Sequence, residues 1–351
     1  MRAPLFYKNK PIFGLDIGQS TVKAVQLEQS KHGPQLVGYG YAEFAAEAIE
    51  NGVVKKPEKV AEVLRPLLDN IVIGDLSTDR AFTSIPTAYL YSRVVELGDV
   101  AEEDLEEAVQ LEAQQYIPLQ EDERYLDYTV LNRNNEGKTH VYIVAAPRAI
   151  INSYIELFST VNLELYGTEP NLFSIVRAVN NAHQNDKAKI IIDFGSNSSD
   201  LAIYDKSLRL TSTISTGGDH ITECIAETLD IDRQRALEIK TRYGMSKSKW
   251  QKQLAPALTP ILTNLVTEIQ KLLRYHHERN YQGSDIEQVV IVGGGANLPG
   301  LDDFLTHLTG LEVVTCNPWD NITVKPLQPP HRLETTLYTT AVGLALKELE
   351  R

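Results

Sequence analysis

Cysteine is almost missing: Cys224 and Cys316 are the only two in 351 residues. Two thiols so far apart exclude a disulfide framework, and neither sits in zinc-ligand spacing. A reducing cytoplasm is the compartment to expect. Long apolar runs are also lacking, so no segment has the length to span a bilayer. Met1 to Pro11 is short and polar, without the apolar stretch of a signal peptide. Basic residues are scarce, 34 Lys and Arg against 47 Asp and Glu, for a net charge of −13. A duplex-binding surface must neutralise phosphates, so this balance excludes nucleic acid as the main partner and speaks against adhesion to anionic lipid. No low-complexity stretch implies a disordered linker. What is present, 42% hydrophobic and 23% charged residues, is globular composition long enough for two or more domains.

Periodicity organises the chain. Ile12 to Leu15 reads as a strand, followed by a turn, a second strand over Val22 to Leu27 and strand-like alternation from Leu36 to Phe44. Pro57 opens a helix over Glu58 to Asn70, apolar at Val60, Val63, Leu64, Leu67 and Leu68. Ala81 to Ile85 reads as a buried strand. Near Tyr91 the texture changes. A strand over Arg93 to Leu97 leads to an acidic helix over Glu102 to Tyr116, stopped by Pro118. Two strands, Tyr125 to Leu131 and His140 to Ala146, bracket the turn Asn134-Asn135-Glu136-Gly137. A helix after Pro147 and a strand over Leu163 to Tyr166 complete a unit, 91–167, inserted into a first domain of 1–90. Segments 168–187 and 330–351 are expected to complete that first domain. The second domain covers 188–329, with a helical region over Thr222 to Tyr281 (subdomain 222–282), interrupted near Gly244. On its longest helix Leu258, Ile261, Leu262, Leu265, Ile269, Leu272 and Leu273 share one face. His276 and His277 are expected at a partly solvated edge of the same helix.

One local pattern occurs twice. Residues 12–21 (Ile-Phe-Gly-Leu-Asp-Ile-Gly-Gln-Ser-Thr) match residues 189–198 (Lys-Ile-Ile-Ile-Asp-Phe-Gly-Ser-Asn-Ser). Each has apolar strand residues, then Asp-apolar-Gly and three small or polar residues, and each returns to a strand. The two aspartates are 193 minus 16, or 177, residues apart, about half the chain. A duplicated α/β half produces that spacing. Glycine lets such a turn tighten and approach a ligand, and successive backbone N–H groups there form an anion-binding concavity. Gly18, Gln19, Ser20 and Thr21 line one copy; Gly195, Ser196, Asn197 and Ser198 line the other. Carboxylates repel phosphate unless a cation bridges them, so Asp16 and Asp193 together imply Mg²⁺ held through water. The bland alternative is two unrelated hairpins with turn-forming residues. The half-chain spacing weighs against it.

A third element, Val289 to Val292, runs into Gly293-Gly294-Gly295-Ala296-Asn297-Leu298 before a helix near Leu301. The glycines would let the adenine-ribose edge lie on bare backbone, with Gly294, Gly295, Ala296 and Leu298 as the candidate contacts. The pattern is neither a complete Rossmann fingerprint nor a P-loop.

These three motifs, in this order, resemble the phosphate-1, phosphate-2 and adenosine motifs of the actin, sugar-kinase and 70-kilodalton chaperone superfamily. The resemblance implies a ribonuclease H-like duplicated, two-domain actin-like ATPase fold binding ATP and Mg²⁺. Lys23, seven positions after Asp16, matches the phosphate-contacting lysine of actin-like members. Thr216-Gly217-Gly218-Asp219-His220 and Ala236-Leu237-Glu238-Ile239-Lys240 are similar to segments of the FtsA branch, implying nucleotide contacts from Gly217, Gly218 and Lys240. Relatives place a ribose-holding glutamate where Leu237 stands. The insert sits where FtsA-like proteins carry a small α+β subdomain. Glu112 to Pro118 and Val144 to Arg148 resemble the type IV pilus assembly protein PilM family over essentially the whole chain.

That resemblance implies a cytoplasmic adaptor at the inner face of the inner membrane. It would capture the N-terminal tail of a PilN-like membrane protein, with other pilus platform or motor proteins as further partners. It implies no direct membrane insertion. The alternatives are an FtsA-like nucleotide-dependent filament former and a small-molecule kinase. A terminal helix over Glu334 to Glu350 is expected to pack the first domain. No general base stands out. Glu169, just before the helix at Asn171, is the candidate, although an N-terminal helix charge explains it equally well.

Overall fold

The computed structural model describes residues 10–133, 138–185, 187–278 and 285–350. The turn expected at 134–137, the end of the long helical region at 279–281 and the first nine residues lie outside them.

Two sheets repeat one topology. In the first half, β1 (Phe13–Ile17), β2 (Thr21–Ser30) and β3 (Gly33–Glu43) form an antiparallel meander. A small pair, β4 (Ile49–Glu50) and β5 (Val53–Val54), leads to α1 (Pro57–Pro66). The helix expected to reach Asn70 ends at Pro66 and widens into a π turn over Leu67–Ile71. A proline there removes an N–H and crowds the preceding turn. β6 (Ile73–Gly74) borders β3, and β7 (Arg80–Ile85) lies parallel to β1.

The insert is a three-stranded sheet with one helix: β8 (Tyr91–Leu97), α2 (Leu105–Tyr116), β9 (Arg124–Arg133) and β10 (Thr139–Pro147), in strand order β8-β10-β9. On α2, Leu105, Val109 and Ala113 recur every four residues and are buried against the sheet. Glu102, Glu103, Asp104, Glu106 and Glu107 are exposed. The insert is shorter than its sequence boundaries. α3 (Arg148–Thr160) buries Ile150, Tyr154, Leu157 and Phe158 in the core of the first half, and β11 (Glu164–Pro170) pairs in parallel with β7. The first sheet therefore runs β11-β7-β1-β2-β3-β6.

The second sheet, β14-β13-β12-β15-β16, matches the first from its meander onward. β12 (Lys189–Phe194), β13 (Ser199–Asp205) and β14 (Ser207–Ile214) are antiparallel, and β15 (Gln288–Val292) and β16 (Glu312–Thr315) are parallel to β12. α5 (Gly218–Leu229), α6 (Arg233–Tyr243) and α7 (Gln251–Glu278) form the helical part, with a further break at left-handed Asp230. Burial of Leu254, Leu258, Leu262, Leu265, Ile269 and Leu272 holds α7 in place, at about 1.5–3 kcal/mol for each side chain. His276, expected at a partly solvated edge, is buried at 8% exposure; it falls four residues after Leu272 on the same stripe. α8 (Leu301–Thr309) follows the glycine run.

Two helices exchange halves. α4 (Asn171–His183), expected to complete the first domain, buries Leu172, Ile175 and Val179 against Ile191, Ala202, Val290 and Val292 of the second sheet. α9 (Thr339–Leu346) buries Ala341, Val342 and Ala345 against Val25 and Leu27 of the first. The return to the first half begins before residue 330. Trp319 and Ile322 already pack on Tyr39, and the Leu36 N–H donates to the Thr323 carbonyl at 2.9 Å.

Candidate functional site

The β1–β2 and β12–β13 hairpins end in turns of the same construction. Gly18 N–H donates to the Thr21 carbonyl at 2.8 Å, and Gly195 N–H to the Ser198 carbonyl at 3.0 Å. Both turns open into one cleft of about 580 Å³ between the halves. The first contributes Asp16, Gly18, Gln19, Ser20, Thr21 and Lys23; the second contributes Asp193, Gly195, Ser196, Asn197 and Ser198. The two motifs expected to share a site therefore line one cleft.

On the first side, Lys23 Nζ donates to Asp16 Oδ2 at 3.0 Å and to Thr21 Oγ1 at 2.8 Å. Gln19 Nε2 is turned away, donating to the Ile49 carbonyl at 2.9 Å and the Ala46 carbonyl at 3.2 Å. On the second side, the start of α5 braces the turn: Gly218 N–H donates to the Gly195 carbonyl at 2.9 Å and Asp219 N–H to the Ser196 carbonyl at 2.8 Å. Gly217 does not line the cleft. A Cβ on it would lie 2.2 Å from the Ser196 carbonyl oxygen, so it serves the turn by letting the backbones meet. Lys240 closes the outer wall, its Nζ donating to the Gly218 carbonyl at 2.9 Å and Thr222 Oγ1 at 2.8 Å; burial lowers its pKa.

Of the third motif, Gly294, Gly295 and Leu298 line the cleft. Ala296 does not; it is buried behind them. Asn297 lines it as well and donates to the Leu333 carbonyl and Thr336 Oγ1 at 3.0 and 2.8 Å. Leu237 stands in the wall, 48% exposed, while Glu238 pairs with Arg235.

Glu169 is not among the lining residues. It forms a two-pronged pair with Arg177, Oε1 and Oε2 accepting from Nη1 and Nη2 at 2.7 and 3.0 Å. Arg177 also reaches the Gly343 carbonyl and Glu350 at 2.8 Å each. In this structure the carboxylate is held by Arg177 and not open to a water in the cleft.

Two polar residues at the cleft floor escaped the motif reading. Asn171, the first residue of α4, accepts at Oδ1 from Thr87 N and Oγ1 at 2.8 and 2.6 Å. Its Nδ2 donates to Asp200 Oδ2 at 3.0 Å and Asp193 Oδ2 at 3.4 Å. Asp200 also accepts from Thr213 at 2.6 Å and is 4% exposed. Its signal was a carboxylate second in a strand whose next three residues, Leu201 to Ile203, are apolar.

The negative charge is concentrated. Burial, then Asp200 and Asp16, push the Asp193 carboxyl up to about 7, with Lys23 and Asn171 opposing the shift. Burial likewise raises Asp200. Among the described residues no three His, Cys, Asp or Glu side chains form a ready metal cage. Hydrated Mg²⁺ needs none, since it takes one or two carboxylates and completes its shell with waters and phosphates. Under-compensated carboxylates beside glycine turns are a donor set that fits such an ion.

Fold and cleft together define a protein of actin-like ATPase fold, two related α/β halves closing on a shared polar site. A family model described as type IV pilus assembly protein PilM matches residues 14–349, and the chain belongs to that family. Among solved structures it is similar to the PilM-PilN type IV pilus biogenesis complex, with TM-score 0.84 and 24% identity over 97% of this chain and 99% of that one. It is also similar to MreB5 of Spiroplasma citri bound to AMPPNP, with TM-score 0.55 and 13% identity over 98% and 97% of the two chains. The cell division protein FtsA of Pseudomonas aeruginosa is 24% identical, the match covering 97% of this chain and 90% of that protein.

Proposed function

We propose that this chain is an ATP- and Mg²⁺-binding adaptor of type IV pilus assembly. On this reading it works at the cytoplasmic face of the inner membrane, held there by the N-terminal tail of a PilN-like membrane protein. The carrying observation is the convergence of Asp16 and Asp193 in one cleft at matching glycine turns, in a chain of the PilM family. Support for the partner comes from the fold shared with the solved PilM-PilN complex. Among the described residues no helix is long and apolar enough to cross a membrane.

In the proposed complex the turns around Gly18 and Gly195 hold the phosphates through backbone N–H groups. Lys23 and Thr21 contact them from the first half. Asp16 and Asp193 hold hydrated Mg²⁺, which supplies the charge that lets carboxylates and phosphates share the cleft. Lys240, Leu237 and Leu298 wall the nucleoside end. With Glu169 committed to Arg177, the reading is of a nucleotide binder with at most slow turnover.

Calorimetry on the full chain tests both halves of the proposal. Mg·ATP should bind wild type and fail to bind Asp16→Ala or Asp193→Ala. A synthetic N-terminal peptide of a PilN-like protein should bind wild type and lose its site when residues 91–147 are replaced by a short linker. Undiminished nucleotide affinity in both aspartate variants would overturn the cleft assignment. A tail peptide that does not bind the intact chain would overturn the adaptor assignment.

A further inference from the structure

The two carboxylates at the cleft floor share an amide. Asp193 and Asp200 lie directly opposite on antiparallel β12 and β13, which sets both side chains on one face of the sheet. Like charges so placed repel. Asn171 answers them from the start of α4. Its Nδ2 donates to Asp200 Oδ2 at 3.0 Å and to Asp193 Oδ2 at 3.4 Å, one oxygen from each.

The amide cannot be turned round. Its Oδ1 accepts from the Thr87 N–H at 2.8 Å, and a backbone N–H only donates, so the nitrogen must face the acids. Thr87 Oγ1 donates to the same oxygen at 2.6 Å. Nor can the residue swing aside: it is 8% exposed and opens a helix whose Leu172, Ile175 and Val179 are fixed in the core of the second half. An amide nitrogen offers hydrogens and no lone pair for a metal. It bridges the two carboxylates as a cation would, yet ligates nothing. The residue type matters as well. A carboxylate suits the first turn of a helix better than an amide does, through the helix dipole. An aspartate at 171 would also add a third acid to the floor, and among the described residues no three His, Cys, Asp or Glu side chains gather to hold a metal.

We propose that Asn171 is a specificity-determining residue of the cleft: it keeps divalent cations off the bare floor, so that a cation enters only together with the oxygens of a polyphosphate. The inference rests on the Mg·ATP reading of the cleft. With one oxygen of Asp193 and one of Asp200 committed to the amide, and Asp16 engaged by Lys23 at 3.0 Å, few protein oxygens remain for a hard cation. Mg²⁺ and Mn²⁺ take oxygen ligands, and phosphates supply what the protein withholds. The cleft therefore answers to nucleotide and not to free metal.

Mn²⁺ titration of the nucleotide-free full chain, read by electron paramagnetic resonance at about pH 8, tests this. Wild type should hold Mn²⁺ only weakly. Asn171→Asp is isosteric, still accepts from Thr87 and turns an oxygen toward the acids; it should tighten Mn²⁺ by about tenfold or more. Asn171→Ala frees both carboxylates without adding charge and should tighten it by a smaller factor. Mn²⁺ should also raise the melting temperature of both variants and leave that of wild type unchanged. A residue that merely ties the halves together would lose stability in both variants and gain no metal. Circular dichroism checks folding, and if Asn171→Asp does not fold, Asn171→Ala and wild type still decide. Tight Mn²⁺ binding by nucleotide-free wild type, no gain in either variant, or a gain in Asn171→Asp alone, which added charge explains, would each overturn the proposal. The Mn²⁺ titrations contain no nucleotide, so a parallel failure of wild type to bind Mg·ATP falls on the nucleotide reading and is told apart from failure here.

Discussion

Ser174 of α4 and Gly343 of α9 meet backbone to backbone: a Cβ on Gly343 would lie 1.8 Å from the Ser174 carbonyl oxygen. The contact marks where the two exchanged helices cross between the halves. Gly343→Ala must push them apart, so we expect a loss of about 1–3 kcal/mol or more in urea unfolding. Wild-type stability in that variant would show that the crossing has slack.

The Glu169–Arg177 pair makes a second prediction, because its two readings differ in outcome. The side chains are 12% and 14% exposed. Glu169→Gln leaves Arg177 poorly compensated and should cost about 3 kcal/mol. Any ATP turnover per folded molecule should stay within about twofold of wild type, since 1.4 kcal/mol would already be tenfold. A large fall in turnover with unchanged stability would restore the glutamate as a base.

Asp193 sets the pH behaviour. Its carboxyl is raised to about 7, so the native chain keeps a proton that the unfolded chain loses near pH 4. Stability of the nucleotide-free protein should therefore fall as pH rises from about 4 to 7 and then level off with respect to this group. Mg·ATP favours the carboxylate, so binding at pH 6 should release a proton, measurable by calorimetry in buffers of different ionisation heat. Asp193→Asn should flatten the slope and stabilise the nucleotide-free protein at pH 8 while weakening Mg·ATP. Proton-neutral binding at pH 6 would contradict this account.

Leu237 predicts nucleotide preference. An exposed apolar side chain in the cleft wall gives a ribose diol no acceptor. ATP and dATP should bind alike. Leu237→Glu should favour ATP by about tenfold, the value of one charge-assisted hydrogen bond. Strong preference for ATP in wild type would place the ribose elsewhere.

The cleft was legible in sequence because each hairpin is local: strand, turn and return strand lie close together, and the second copy acted as a control on the first. Non-local pairing was not legible. Nothing in Leu163 to Tyr166 says that this strand belongs beside Arg80–Ile85 and not in the insert. The same holds for α4, whose apolar face fits either sheet until the helices are seen to cross. Asn171 lacked a motif, since one amide after a proline is ordinary at a helix start. His276 could have been placed correctly, because the spacing from Ile269 and Leu272 already put it on the buried stripe.

The insert is attached by its chain ends to the first half, yet Tyr142 of β10 rests on Phe173 of α4, ring centroids 4.7 Å apart, within the core of the second. Phe173 is two residues beyond Asn171, which donates to Asp193 and Asp200 at the cleft floor. A fluorinated tyrosine at position 142 should change its resonance when Mg·ATP binds, and an unmoved signal would argue against any mechanical link. If the cleft holds nucleotide as proposed, Asn171 and Phe173 stand only about half a turn apart on one stiff helix, so α4 is short enough to tilt as one body and carry the occupied state to the insert without any relay of moving side chains.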